Sequence, residues 1–290
     1  MRRICSFDRK MGACAFVSPS ADIGLCSATF GRGHGNELGV ENLVQYPLLM
    51  FVLAFTLLWL AAWVGGRLNN RTHAMAEDVR ADFTVVQGAT LTLLGLMIGF
   101  SFSMAIGRYD QRKMYEEAEA NAIGTEYVRA DLLPPAEAAQ VRDLLRKYTD
   151  LRIQFYVTRD ADELEKINAE TSKVQNELWV AASRPAMAQP SPVIALAVGG
   201  MNDVLNSQGY TQAAWWNRIP GAAWILMLAI AIFCNGLLGY GSRKFDIKLL
   251  VILPLVVAVS FFLIADIDSP RRGIIRVRPQ NLDSLRASFQ

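Results

Sequence analysis

Residues 83–107 read FTVVQGATLTLLGLMIGFSFSMAIG, 25 residues without a single charge. At about 1.5 Å of rise per residue, a helix of this run reaches roughly 36 Å, enough to cross a hydrocarbon core of about 30 Å. Working outward, three more uncharged runs appear at 42–66, 219–242 and 249–265. The last has only 17 residues and contains Pro254. It still reads as a span, because a helix apolar all round has no stable place in water, and neighbouring helices tolerate a proline kink inside lipid. The fold class predicted is therefore an all-α integral membrane protein. Its four transmembrane helices form two hairpins, 42–107 and 219–266, with a helical cytoplasmic segment between the second and third.

Composition agrees: apolar residues make up 52% and charged residues 19%, below the roughly 25% of an average soluble domain. Residues 108–218 carry 13 Lys+Arg against 16 Asp+Glu, so there is no basic stripe and no nucleic acid partner is expected. With four spans, both termini and residues 108–218 share one face of the bilayer. Nine Lys/Arg flank the spans on that face and six on the other, which points to the cytoplasm for the middle segment.

Residues 1–41 differ from everything after them. They contain Cys5, Cys14 and Cys26 at spacings of nine and twelve, too wide for a zinc site, and lack the unbroken apolar core of a secretory signal. They read as a disordered extension or as the product of a start codon placed too far upstream. Cys234, inside a span, is then the only thiol of the body, and no disulfide framework exists.

The middle segment is helical throughout. Met114, Ala118 and Ala122 continue the second span outward until Pro134 and Pro135. Val141, Leu144, Leu145, Tyr148, Leu151 and Phe155 give a helix over about 136–156, and Leu164, Ile167, Thr171, Val174 and Leu178 a heptad seam over about 162–183. A loop containing Pro185, Pro190 and Pro192 precedes a fourth helix over about 193–206. Glu116, Glu117 and Glu119 read as a solvated face pairing with Arg112 and Lys113. Residues 267–290 read as a cytoplasmic tail. His34 and His73 are the only histidines, and no phosphate loop, nucleophile elbow or zinc-protease motif occurs, so an enzyme is not expected and neither is a cofactor or metal.

Three constellations stand out. Gly88, Thr92, Gly95, Gly99, Ser103 and Gly107 form a small-residue stripe suited to close helix packing. Beside it, Leu96, Phe100 and Met104 recur every four residues, either facing lipid or, in a ring of subunits, forming an apolar constriction. Asp266 and Asp268 sit at the exit of the fourth span next to Arg271 and Arg272, reading as surface charge pairs, or as a gate or cation site.

Leu93-Leu94-Gly95-Leu96 followed by Phe100 and Arg108, then Glu119 to Thr125, Arg129 to Pro134 and Asp266-x-Asp268-x-Pro270-x-x-Gly273, resembles the uncharacterised bacterial family named for a bestrophin-like domain. The resemblance covers about residues 42–285. More remotely the chain is similar to the bestrophins, pentameric anion channels with four spans and a helical cytosolic region between the second and third. The resemblance implies a homo-oligomer in a lipid bilayer, the bacterial inner membrane, with an apolar pore neck at Leu96, Phe100 and Met104. The sequence departs from it in two places. Met104-Ala105-Ile106-Gly107 stands where bacterial bestrophins have Phe-Arg-Asn-Asn, and the acidic calcium clasp of the animal channels is reduced to Asp266 and Asp268. The functional expectation is an oligomeric anion channel. The alternative is a non-conducting membrane scaffold or sensor holding a partner protein on its middle helices.

Overall fold

Inside lipid the backbone must satisfy its own hydrogen bonds, which leaves helix as the form for each apolar run. The computed structural model describes residues 45–69, 77–242 and 247–289, and four of its helical segments are long and apolar enough to cross a membrane. The helices are α1 Pro47–Asn69, α2 Glu77–Arg129, α3 Pro135–Val157, α4 Ala161–Ala188, α5 Pro192–Trp216, α6 Gly221–Gly241, α7 Ile247–Asp268 and α8 Gln280–Ser288, with a 3-10 turn at Ala130–Leu132. No strand occurs among the described residues. Residues 1–41, with their three cysteines, and the two histidines lie outside the described residues.

Local chemistry sets the boundaries. Pro135 and Pro192 stand in the first turn of α3 and α5, where a missing N–H costs nothing. The Asp160 carboxylate caps α4 by accepting the N–H groups of Asp162 and Glu163 at 3.1 and 2.9 Å, and Ser191 caps α5 through Ile194 N–H at 3.1 Å. Two expected helix ends are corrected. Helix α4 continues through Pro185 to Ala188, because a proline this near the C-terminus forfeits one ladder bond and its ring is buried. Helix α5 runs ten residues past Asn206, because Ser207, Thr211 and Trp215 on its inner face are buried in the core.

The core falls into two clusters. One lies among the spans around Leu58, Leu94, Met227, Cys234, Phe261 and Ile264, and the other among the middle helices around Ile123, Val141, Leu145, Phe155, Val174 and Leu178. The heptad seam of α4 is spent within the chain: Ile167, Thr171, Val174 and Leu178 are buried. The spans do not zip together in sequence order. Helix α1 packs on α6 and α7, while α2 touches α6 and α7 along one edge and meets α1 at most marginally among the described residues. Glycine makes the α1–α6 contact feasible: a Cβ at Gly65 would collide with the carbonyl of Gly236, and one at Gly239 with the carbonyl of Ala62. Beyond α7 the chain folds back on the middle helices. Helix α8 packs on α2 and α3 and buries Leu282.

Candidate functional site

Helix α2 is one uninterrupted helix of 53 residues, about 80 Å long. Its buried positions are Leu94, Ser101, Ala105, Arg112, Glu116, Glu119, Ala120, Ile123 and Glu126; apart from the neighbours Glu119 and Ala120, successive ones are spaced by three, four or seven. That periodicity makes a single stripe which faces the spans at one end and the middle helices at the other. Much of the remaining circumference is uncovered among the described residues.

The neck candidates lie on that uncovered side. Leu96, Phe100 and Met104 are 52%, 62% and 42% exposed, and so belong to neither core cluster. The small-residue stripe lies there too. Gly88, Thr92, Gly95, Gly99, Ser103 and Gly107 are all exposed, and a Cβ added at any of the four glycines meets nothing within 4 Å among the described residues. This stripe therefore packs no helix among the described residues of its own chain; the close glycine contact lies between α1 and α6 instead.

Asp266 and Asp268 are 2% and 1% exposed, which corrects the expectation of surface charge pairing. Asp266 accepts the backbone N–H groups of Ile274 and Ile275 at 2.7 and 2.8 Å and folds the chain back after α7. Gly273 is required in that turn, since a Cβ would strike the backbone of Asp266 and Ser269. Asp268 accepts Ile219 N–H at 3.1 Å and faces Arg108 at 3.6 Å, tying the entrance of α6 to α2. Arg112 completes the tie by donating to the carbonyls of Ala214, Ile267 and Asp268 at 3.4, 3.2 and 3.3 Å. The two aspartates are thus occupied by backbone donors and arginines, and no cluster of three or more metal-ligating side chains occurs among the described residues.

The acidic run of α2 is also largely buried, against the expectation of a solvated face; only Glu117 is exposed. Glu116 caps α8, accepting Asn281 N–H at 2.9 Å and Leu282 N–H at 3.0 Å. Glu119 forms a fully buried ion pair with Arg152 and accepts from Thr211 at 3.1 Å and Tyr156 at 3.4 Å. Burial, with the Glu119 carboxylate beside it, pushes the Tyr156 hydroxyl far above its ordinary range. Glu126, about two turns beyond Glu119, is different: both its oxygens are buried with no hydrogen-bond partner among the described residues. Burial pushes its carboxyl up to about 8, against the pull of Arg129 and with a smaller push from Asp203. Sequence offered one signal for these roles, since Glu116, Glu119, Ile123 and Glu126 keep the spacing of the apolar stripe.

A model of the Bestrophin-like domain matches residues 50–282. No curated protein matches the chain. Among solved structures, a bacterial bestrophin homologue from Klebsiella pneumoniae is similar with a TM-score of 0.57 at 13% identity, covering 83% of this chain and 96% of that one. A point variant of a homologue from the same organism gives 0.58 at 12% identity, with 84% and 97% covered. A structure described only as a membrane protein gives 0.59 at 13%, with 82% and 97% covered. At these identities the likeness is one of fold.

Proposed function

The chain belongs to the bestrophin-like family of membrane proteins, and from that premise we propose that copies of it assemble around α2 into an anion channel. The uncovered face of α2 carries this reading. A long apolar helix face with no partner among the described residues is suited to meet lipid, another copy or an open lumen. The small-residue stripe suits contact with the α2 of a neighbouring copy, since glycine and serine let backbones approach. The adjacent Leu96, Phe100 and Met104 would then form stacked apolar rings, which restrict flow by dewetting. No charge occurs within residues 83–107, so a carrier built on intramembrane ionisable groups finds no support there. The acidic residues needed for calcium control are engaged in backbone capping, and calcium gating forms no part of the proposal.

The orientation proposed puts residues 108–218 in the cytoplasm, on the nine-to-six balance of flanking Lys/Arg. Reporter fusions at Gln189 and at Asn69 test it, and periplasmic activity at Gln189 would reverse it. Conduction is tested in liposomes of purified protein, with chloride and sodium flux measured alongside the assembled mass. Replacing Leu96, Phe100 and Met104 together by Ala should wet the neck and raise anion flux. A triple variant that assembles normally, with no flux before or after substitution, would overturn the channel in favour of a membrane scaffold.

A further inference from the structure

Where α1 and α6 begin and α7 ends, the chain encloses a pocket of about 120 Å³ lined by Gln45, Arg159, Arg218, Ser269, Arg271 and Arg272 among others. Four of its walls are arginines, and among the described residues no Asp or Glu lines it. Their positions fix its level in the molecule. Gln45 stands two residues before α1, Arg218 three before α6, and Arg271 and Arg272 just beyond the end of α7. The pocket therefore lies at one end of three spans, at the height where a bilayer's headgroups begin.

Two of the arginines are held rather than loose. The Arg271 guanidinium stacks 4.6 Å from the Phe155 ring and 4.4 Å from Trp215, and its Nη1 donates to the carbonyls of Phe155 and Thr158 at 2.8 and 3.0 Å. Arg272 sits 4.2 Å over the Tyr46 ring. None of these contacts neutralises a charge. Asp268 accepts Ile219 N–H and faces Arg108, with Arg218 also in its field, Asp266 accepts Ile274 and Ile275 N–H, and Asp160 caps the first turn of α4. Burial, helped by Arg152 and Arg218, pulls Arg271 down to about 10.

A concave group of preorganised guanidinium forks without a carboxylate matches the geometry and charge of phosphate. We propose that this pocket binds a phosphate group, with Arg159, Arg271 and Arg272 as its ligands and Arg218 adding to the field. A phosphate in this place is supplied either by the headgroup of an anionic lipid or by a free anion from solution. The site does not depend on conduction.

The test uses the full chain, extracted from membranes and reconstituted into nanodiscs of phosphatidylcholine with or without phosphatidylglycerol. Retained phosphatidylglycerol is counted by native mass spectrometry, and the melting temperature of lipid-stripped protein is followed against inorganic phosphate. Arg159→Gln with Arg272→Gln removes two exposed side chains, and each should weaken phosphate binding about tenfold. Arg184→Gln with Lys173→Gln removes the same charge from the exposed side of α4 and should leave binding unchanged. Ala161→Glu, which brings a carboxylate to the pocket wall without touching an arginine, should abolish binding as well. Phosphatidylglycerol retained by the wild type and lost in both pocket variants supports the lipid source. A phosphate-dependent rise in melting temperature confined to the wild type and the charge-matched control supports the free anion. Equal retention and equal melting response in all four proteins would overturn the site.

Discussion

Glu126→Gln isolates the one buried carboxyl that finds no hydrogen-bond partner among the described residues. Below about pH 4.5, the group's ordinary value, it is protonated in folded and unfolded chains alike and costs nothing. Between 4.5 and about 8 the unfolded chain ionises while the folded one keeps its proton, so stability falls as pH rises; above about 8 both ionise and the loss stops growing. Each pH step in that window costs about 1.4 kcal/mol, so at pH 7 the penalty is roughly 3 kcal/mol. Glutamine has the same shape and never ionises, so it should recover most of this. At about 2 °C or more per kcal/mol for a chain of this size, the melting temperature should rise by about 6 °C at pH 7. The assay is thermal unfolding by circular dichroism in one detergent from pH 5 to pH 9. The wild type should soften steadily across the window while Glu126→Gln stays flat, the two converging near pH 5. Parallel slopes, or a Gln variant less stable at pH 8, would refute the account.

Other substitutions separate the roles of individual contacts. Glu119→Gln leaves Arg152 buried without a counter-charge and should cost about 3–5 kcal/mol, read as a lowered melting temperature, with much of it recovered when Arg152→Met is added. Asp266→Ala strips the part-buried N–H groups of Ile274 and Ile275 of their acceptor and should cost about 1–3 kcal/mol by the same measurement. Gly239→Ala should prevent the α1–α6 contact and abolish recovery of folded protein from membranes. Gly99→Leu should leave folding intact, because its Cβ meets open space in the single chain, and should change only the assembled mass, measured by native mass spectrometry.

The spans and the inner faces of α3 and α4 were legible because burial there is continuous and periodic: an uncharged run admits one reading, and Val141, Leu145 and Tyr148 declare a face by spacing alone. What sequence hid was burial that depends on distant partners. Glu119 and Glu116 look like surface acids until Arg152 and the start of α8, 33 and 165 residues away, are brought to them. Asp266 and Asp268 read as surface charges because their partners are backbone N–H groups, which leave no trace in residue type. Helix α8 has nine residues and few apolar ones, so its place depends on the Glu116 cap. Leu96, Phe100 and Met104 showed the right period for a working face, but period cannot distinguish lipid from a lumen or a sister subunit.

Helix α2 has no proline between Glu77 and Arg129 and no break in its ladder, so its two halves share one angular phase. Leu94, Ser101 and Ala105 aim at the spans while Arg112, Glu116 and Glu119 aim at the middle helices and α8, and both sets depend on the same register. A single residue inserted near Gly107 would swing one set by about 100° relative to the other, whereas seven would restore alignment to within about 20°. Length variation along this rod is therefore quantised. Any twist imposed on the outer helices arrives at Phe100 undiminished, because the shaft between them has no joint at which to lose it.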